Sequence, residues 1–167
     1  MSNYKLGPCQ ILYGGVDLGK TEGGINVTLS HTFQMLHTDQ DGESPVDEYI
    51  TGTDVKVTAN LAANTLSNIA TIMHSTLEGS GTKRKVEITP NVGTSLLANG
   101  GILILKPYIN GVVTSQANNW ITLHKAGIKA QADLAFNRND QRVIKFEAVG
   151  YPDSTTSLIA TFGDSSF

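Results

Sequence analysis

INVTLSHTFQMLH, residues Ile25 to His37, alternates apolar and polar side chains. Ile25, Val27, Leu29, Phe33 and Met35 hold the odd positions, and Asn26, Thr28, Ser30, Thr32 and Gln34 hold the even ones. A period of two sends successive side chains to opposite faces, so the stretch reads as a strand with one apolar and one polar side. His31 and His37 fall on the mostly apolar side, where histidines are more often core or interface residues than ligands. Thirteen residues at roughly 3.3 Å each span about 43 Å, against the usual five or six residues. A small isolated domain seldom needs such a strand.

Upstream stands GGVDLGKT, Gly14 to Thr21, which fits the phosphate-loop pattern G-x-x-x-x-G-K-T. That chemistry requires a helix starting near Lys20, whose N-terminal N–H groups face the phosphates. Glu22-Gly23-Gly24 follows instead, then the long strand. Two glycines are costly in a first helical turn. The stretch therefore reads as a β-hairpin, with Gly14-Gly15 as a two-residue turn between Ile11-Leu12-Tyr13 and Val16-Asp17-Leu18.

Downstream, Val55, Val57, Ala59 and Leu61 alternate with Asp54, Lys56, Thr58 and Asn60, giving a partner strand. Between the two strands, about residues 38–49, lies a polar loop with Asp39, Asp41, Glu43, Asp47 and Glu48 and no basic residue. Nothing apolar beyond Val46 anchors it, so it is expected to be mobile until it meets a partner. Leu66, Ile69, Ala70, Met73 and Leu77 follow helical spacing and predict an α-helix at about 65–78, with Asn64 or Thr65 as a cap and Gly79 as the stop. Lys83-Arg84-Lys85 leads into a strand through Val86-Glu87-Ile88. Ile102-Leu103-Ile104-Leu105 is apolar throughout and reads as covered on both faces. Asn110-Gly111 predicts a second tight hairpin. The apolar phase changes between Leu123 and Ile128, which calls for a bulge at Ala126-Gly127. Val143–Val149 and Ser157–Phe162 supply the last strands.

The expected fold is mainly β: two packed antiparallel sheets, as a sandwich or half-barrel, with one flanking α-helix, in a single domain over residues 1–167. Charged residues make up 16%, below the usual quarter or so, and 40% hydrophobic content suffices for a core. A net charge of −3 gives no general affinity for nucleic acid or anionic membrane. Cys9 is the sole cysteine, so no internal disulfide forms. No apolar run has signal-peptide or membrane-spanning character, and folding in a cytoplasm is expected.

No catalytic constellation emerges, and no metal or cofactor is expected. Asp39-Gln40-Asp41-Gly42-Glu43 only faintly resembles a calcium loop, lacking the third acid before the glycine and the closing glutamate. Glu87 and Glu147 sit in strands without an evident partner, and Lys83-Arg84-Lys85 is too short for a nucleic-acid patch. Its sign opposes that of the acidic loop, which permits a contact within or between copies.

Three phrases carry a resemblance: GPCQILYGGVDLGKTEGGINVTLSHTFQ from Gly7, SPVDEYITG from Ser44, and VKVTANLA from Val55. Over roughly its first eighty residues the chain resembles the tail tube (major tail) proteins of long-tailed bacteriophages. The resemblance implies two packed sheets with a flanking helix, hexameric rings stacked into a tube, and an inner barrel lining the DNA channel. It implies a virion-tail location, assembly in the host cytoplasm, and tape-measure, terminator and baseplate partners. The long hairpin and its loop would make contacts between subunits and between rings. In that setting Asn26, Thr28, Ser30, Thr32 and Gln34 would face the lumen, where the lack of positive charge leaves no counterion-release term to hold DNA. Lys56 and Lys129 would be exceptions if their strands line it too. Asp39, Asp41, Glu43, Asp47 and Glu48 would stack rings against Lys83, Arg84 and Lys85 of another copy. The alternatives are a related ring protein, such as a tail terminator or secretion-tube subunit, and a monomeric β-sandwich binding module. The latter would want clustered exposed aromatics, and Trp120 and the five tyrosines do not cluster in sequence.

Overall fold

The computed structural model describes residues 7–62, 65–134, 136, 139 and 142–166. Eleven strands and one short helix run along these: β1 Cys9–Tyr13, β2 Val16–Asp17, β3 Thr21–Leu36, β4 Asp47–Leu61, α1 Leu66–Ile72, β5 Thr76–Ser80, β6 Lys83–Glu87, β7 Gly101–Ile109, β8 Val112–Val113, β9 Ile121–Asp133, β10 Val143–Gly150 and β11 Ala160–Phe162. The structure is mainly β, with a large antiparallel sheet, a small second sheet of β5 and β6, and one helix, as the alternation predicts.

The large sheet follows the order β2-β1-β7-β9-β10-β4-β3, with β8 on β7 and β11 on β9. Strand β9 joins its two halves. The first residues of β9 pair with β7 and β11, and Ala126 to Asp133 pair with β10. The register against β7 shifts between Gly101 and Leu103, opposite His124-Lys125, so the expected irregularity exists slightly upstream of Ala126-Gly127. It moves the buried set from Leu123 to Ala126 and Ile128. Ile11, Tyr13, Leu103 and Leu105 from one half and Val55, Val57, Leu61, Ile144 and Phe146 from the other then share one core.

The tight turns follow local chemistry. Tyr13 pairs with Val16 across Gly14-Gly15, whose φ angles of 56° and 83° suit glycine. Ile109 pairs with Val112 across Asn110-Gly111 in the same geometry. The GGVDLGKT segment is thus a hairpin leading into β3, and Lys20 gives its carbonyl to the Ala62 N–H at 2.8 Å. No helix follows Thr21, so the phosphate-loop geometry is excluded.

Three expectations are corrected. The helix ends at Ile72 rather than near residue 78, because His74 turns to φ 51° and Thr76–Ser80 pair with Lys83–Glu87. Gly79 therefore lies in a strand and not at a helix cap. Thr65 does cap the helix, accepting the Asn68 N–H at 3.2 Å. Ile102 is exposed and Ile104 half-buried, so β7 is covered on one face, by way of Leu103 and Leu105. Strand β3 starts earlier than expected, at Thr21, and β4 starts at Asp47, which shortens the loop to residues 37–46 and places Asp47 and Glu48 in β4.

Candidate functional site

Strand β4 pairs with β10 only from Lys56 to Leu61. Beyond Val55 the β3–β4 hairpin continues alone as a two-stranded ribbon, whose eight β3 residues from Leu29 to Leu36 span about 26 Å. Its apolar face is the core face carried outward. Val27 opposes Val57, Leu29 opposes Val55, His31 opposes Thr53, Phe33 opposes Ile50 and Met35 opposes Glu48. Val55 and Val57 are fully buried, but Phe33 is 52% exposed, Met35 51% and Ile50 61%. An extra residue at Thr51 shifts the register between Thr32 and Phe33 and keeps Ile50 on this face. His31 sits inside the stripe, edge-on to Phe33 with ring centroids 6.2 Å apart, and its Nδ1 lies 3.0 Å from Thr53 Oγ1.

At the tip, residues 37–46 fold into successive turns. The Asp41 N–H donates to the Thr38 carbonyl, Ser44 to Asp41 and Val46 to Leu36. The Thr38 hydroxyl donates to the Asp41 carboxylate. The loop is thus held by its own backbone rather than shapeless. Asp39, Asp41 and Glu43 are exposed there, while Asp47 and Glu48 occupy the ribbon's first pairs opposite Leu36 and Met35.

The opposite face is polar across four strands. Asn26 opposes Thr58, Thr28 opposes Lys56, Ser30 opposes Asp54, Thr32 opposes Gly52 and Gln34 opposes Tyr49. The same face continues through Glu147 and Lys145 of β10 to Lys129 and Gln131 of β9. It forms a trough of about 470 Å³ lined by Asn26, Thr58, Asn60, Lys129, Gln131, Lys145 and Glu147. Its lysines are largely answered. Lys56 lies 2.8 Å from Asp54, and Lys129 lies 3.3 Å from Glu147. Hydrogen bonding and proximity to Asp54 hold the Lys56 ammonium above its ordinary value. Glu147 thus gains the partner that sequence spacing did not supply, and Lys145 joins the face unpredicted. Extending strict alternation from β4 into Val143–Gly150 would have placed both.

The basic cluster lies elsewhere, in the small sheet. Lys85 is held between Glu87 and Glu78, which raise its affinity for its proton. Among the described residues Lys83 and Arg84 have no ion pair, and none links this cluster to the acidic loop of the same chain.

Both outer edges of the four-stranded unit β9-β10-β4-β3 are open among the described residues. Strand β3 has no neighbour beyond β4, and β9 has none past Ala126 on the side away from β10. Along that second edge His74 places Nε2 3.1 Å from the Ile128 carbonyl, and Leu96 packs close against Gly127. Elsewhere His124 Nε2 meets Thr161 Oγ1 at 2.7 Å, which ties β11 to β9. Trp120 donates to the Thr114 carbonyl and carries Lys106 over its ring at 4.0 Å. Among the described residues no group of three or more His, Cys, Asp or Glu could hold a metal ion, and no helix is long and apolar enough to cross a membrane.

No protein-family model matches the chain, and no curated protein matches it in sequence.

Proposed function

We propose that this chain is a structural, non-catalytic subunit of a bacteriophage tail tube, in which six copies close a ring and rings stack into a conduit for double-stranded DNA. The observation that carries the reading is the β3–β4 ribbon, whose core-type apolar face runs past the domain into solvent. A lone two-stranded hairpin is marginal in water. Burying the exposed halves of Leu29, Phe33, Met35 and Ile50 contributes about 3–6 kcal/mol per ribbon. An exposed ion pair contributes about 0–1 kcal/mol. Apolar contact therefore drives the association and charge orients it.

A second copy of the chain is the occupant that fits. Every copy presents two open edges, β3 and the end of β9, and backbone pairing between them extends the sheet from copy to copy. Closing the ring removes both edges. The acidic tip meets Lys83 and Arg84 of another ring, a heterologous contact that propagates as a filament. The polar face with Asn26, Thr28, Ser30, Thr32 and Gln34 then lines the lumen, where Asp54 and Glu147 offset Lys56 and Lys129. Tape-measure, terminator and baseplate proteins are the partners that this role requires.

Electron microscopy of the purified chain tests the reading. Tubes or six-fold rings are the expected result. A strict monomer at high concentration overturns it and favours a monomeric binding module. Rings that never stack favour the second reading, a tail terminator or related ring protein.

A further inference from the structure

We infer that His31 makes assembly of this chain respond to pH, because its imidazole stands within the apolar stripe that a second copy covers. The inference rests on the proposed subunit role. Along this face the ring meets Leu29 and Phe33 of β3, with Thr53, Val55 and Ile50 of β4 opposite. Among the described residues β4 is the only strand paired with β3. The first charged group on the face is Glu48, beyond Phe33 and opposite Met35. Asp54 and Lys56 stand on the other face and are bound to each other. Thr53 Oγ1 is the polar atom beside the ring, and a hydroxyl serves either protonation state.

A neutral imidazole can be covered by apolar surface at small cost, whereas an imidazolium cannot be covered without a carboxylate partner. Covering the stripe therefore favours the neutral ring. Assembly is strongest where the ring is neutral and weakens as acid charges it. In acid each copy must shed one proton to dock, so the critical concentration rises by up to about tenfold per pH unit as the pH falls.

Pelleting assays between about pH 5.5 and pH 8, a range that leaves ordinary carboxylates ionised, test this. Wild-type chain, His31→Gln, His31→Phe and His37→Gln are compared, with circular dichroism confirming the fold at each pH. Wild type and His37→Gln should lose assembly on acidification, and both His31 variants should show a flat profile. A flat wild-type profile, or a pH dependence that survives in both His31 variants, overturns the switch while leaving the subunit role intact. A wild type that fails to assemble even at pH 8 overturns both.

Discussion

At the scale of single residues, exposure separates what folds the chain from what associates it. Leu123 is fully buried, and truncating it to Ala should cost about 2–5 kcal/mol in urea unfolding. Phe33 stands half in solvent, and Phe33→Ser should change stability by less than about 0.5 kcal/mol yet prevent tubes from forming in micrographs. Asn68 shows what a linear reading misses. It stands outside the apolar spacing of Leu66, Ile69, Ala70 and Met73, yet it is buried and donates to the Leu18 carbonyl at 2.8 Å. Its partner lies fifty residues away, and no periodicity encodes that. Asn68→Ala should cost about 1–3 kcal/mol, because the buried carbonyl loses its donor. Turn residues are the opposite case: Gly14-Gly15 and Asn110-Gly111 act through their own φ angles, so their roles are written locally. Burial pushes the Cys9 thiol up to about 11. Its stabilising effect is full below the unfolded value near 8.5 and fades as pH rises toward 11. Alkylation at pH 8 should run on the order of a hundredfold slower in the folded chain than in urea.

At the scale of elements, period two proved easier to read than period 3.6. The alternation from Ile25 onward and from Asp54 to Leu61 depends only on one buried face, and β3 and β4 carry it. Helical spacing runs past the true helix end because Leu77 keeps phase with Met73, although Leu77 pairs with Val86 in the small sheet. That pairing is a competing nonlocal preference, and it takes hold where His74 breaks the helix. The ribbon could be inferred only in part. Its length was visible, but its solitude follows from where β10 stops pairing with β4, at Lys56. Amides of Leu29–Leu36 should exchange quickly with solvent in the monomer and slowly in the tube, read by hydrogen-exchange mass spectrometry. Reversing Asp41 and Glu43 to Lys should leave the circular dichroism spectrum unchanged and shift micrographs from tubes to single rings. Normal tubes would remove the tip loop from the stacking contact.

At the scale of the whole molecule, charge balance matters more than charge count. The polar face holds Lys56, Lys129 and Lys145 against Asp54 and Glu147, with Glu22 opposite Asn60 and Asp47 opposite Leu36 on the same side. Thr28→Lys with Ser30→Lys would add two more beside Lys56, and virions carrying both should eject DNA more slowly, with the delay shrinking as salt rises. This balance was partly legible: the uncharged row on β3 was visible, whereas the pairing of Glu147 with Lys129 needed the β9–β10 register. The strand order has a temporal consequence. Hairpin β3–β4 needs β10 to cover its inner edge, yet Val143 follows Leu61 by some eighty residues. At about 5–20 residues per second, a ribosome leaves that sticky hairpin uncovered for roughly 4–16 seconds. Nascent chains should therefore depend on holding chaperones during translation, and the soluble fraction should rise when chaperones are supplied in excess.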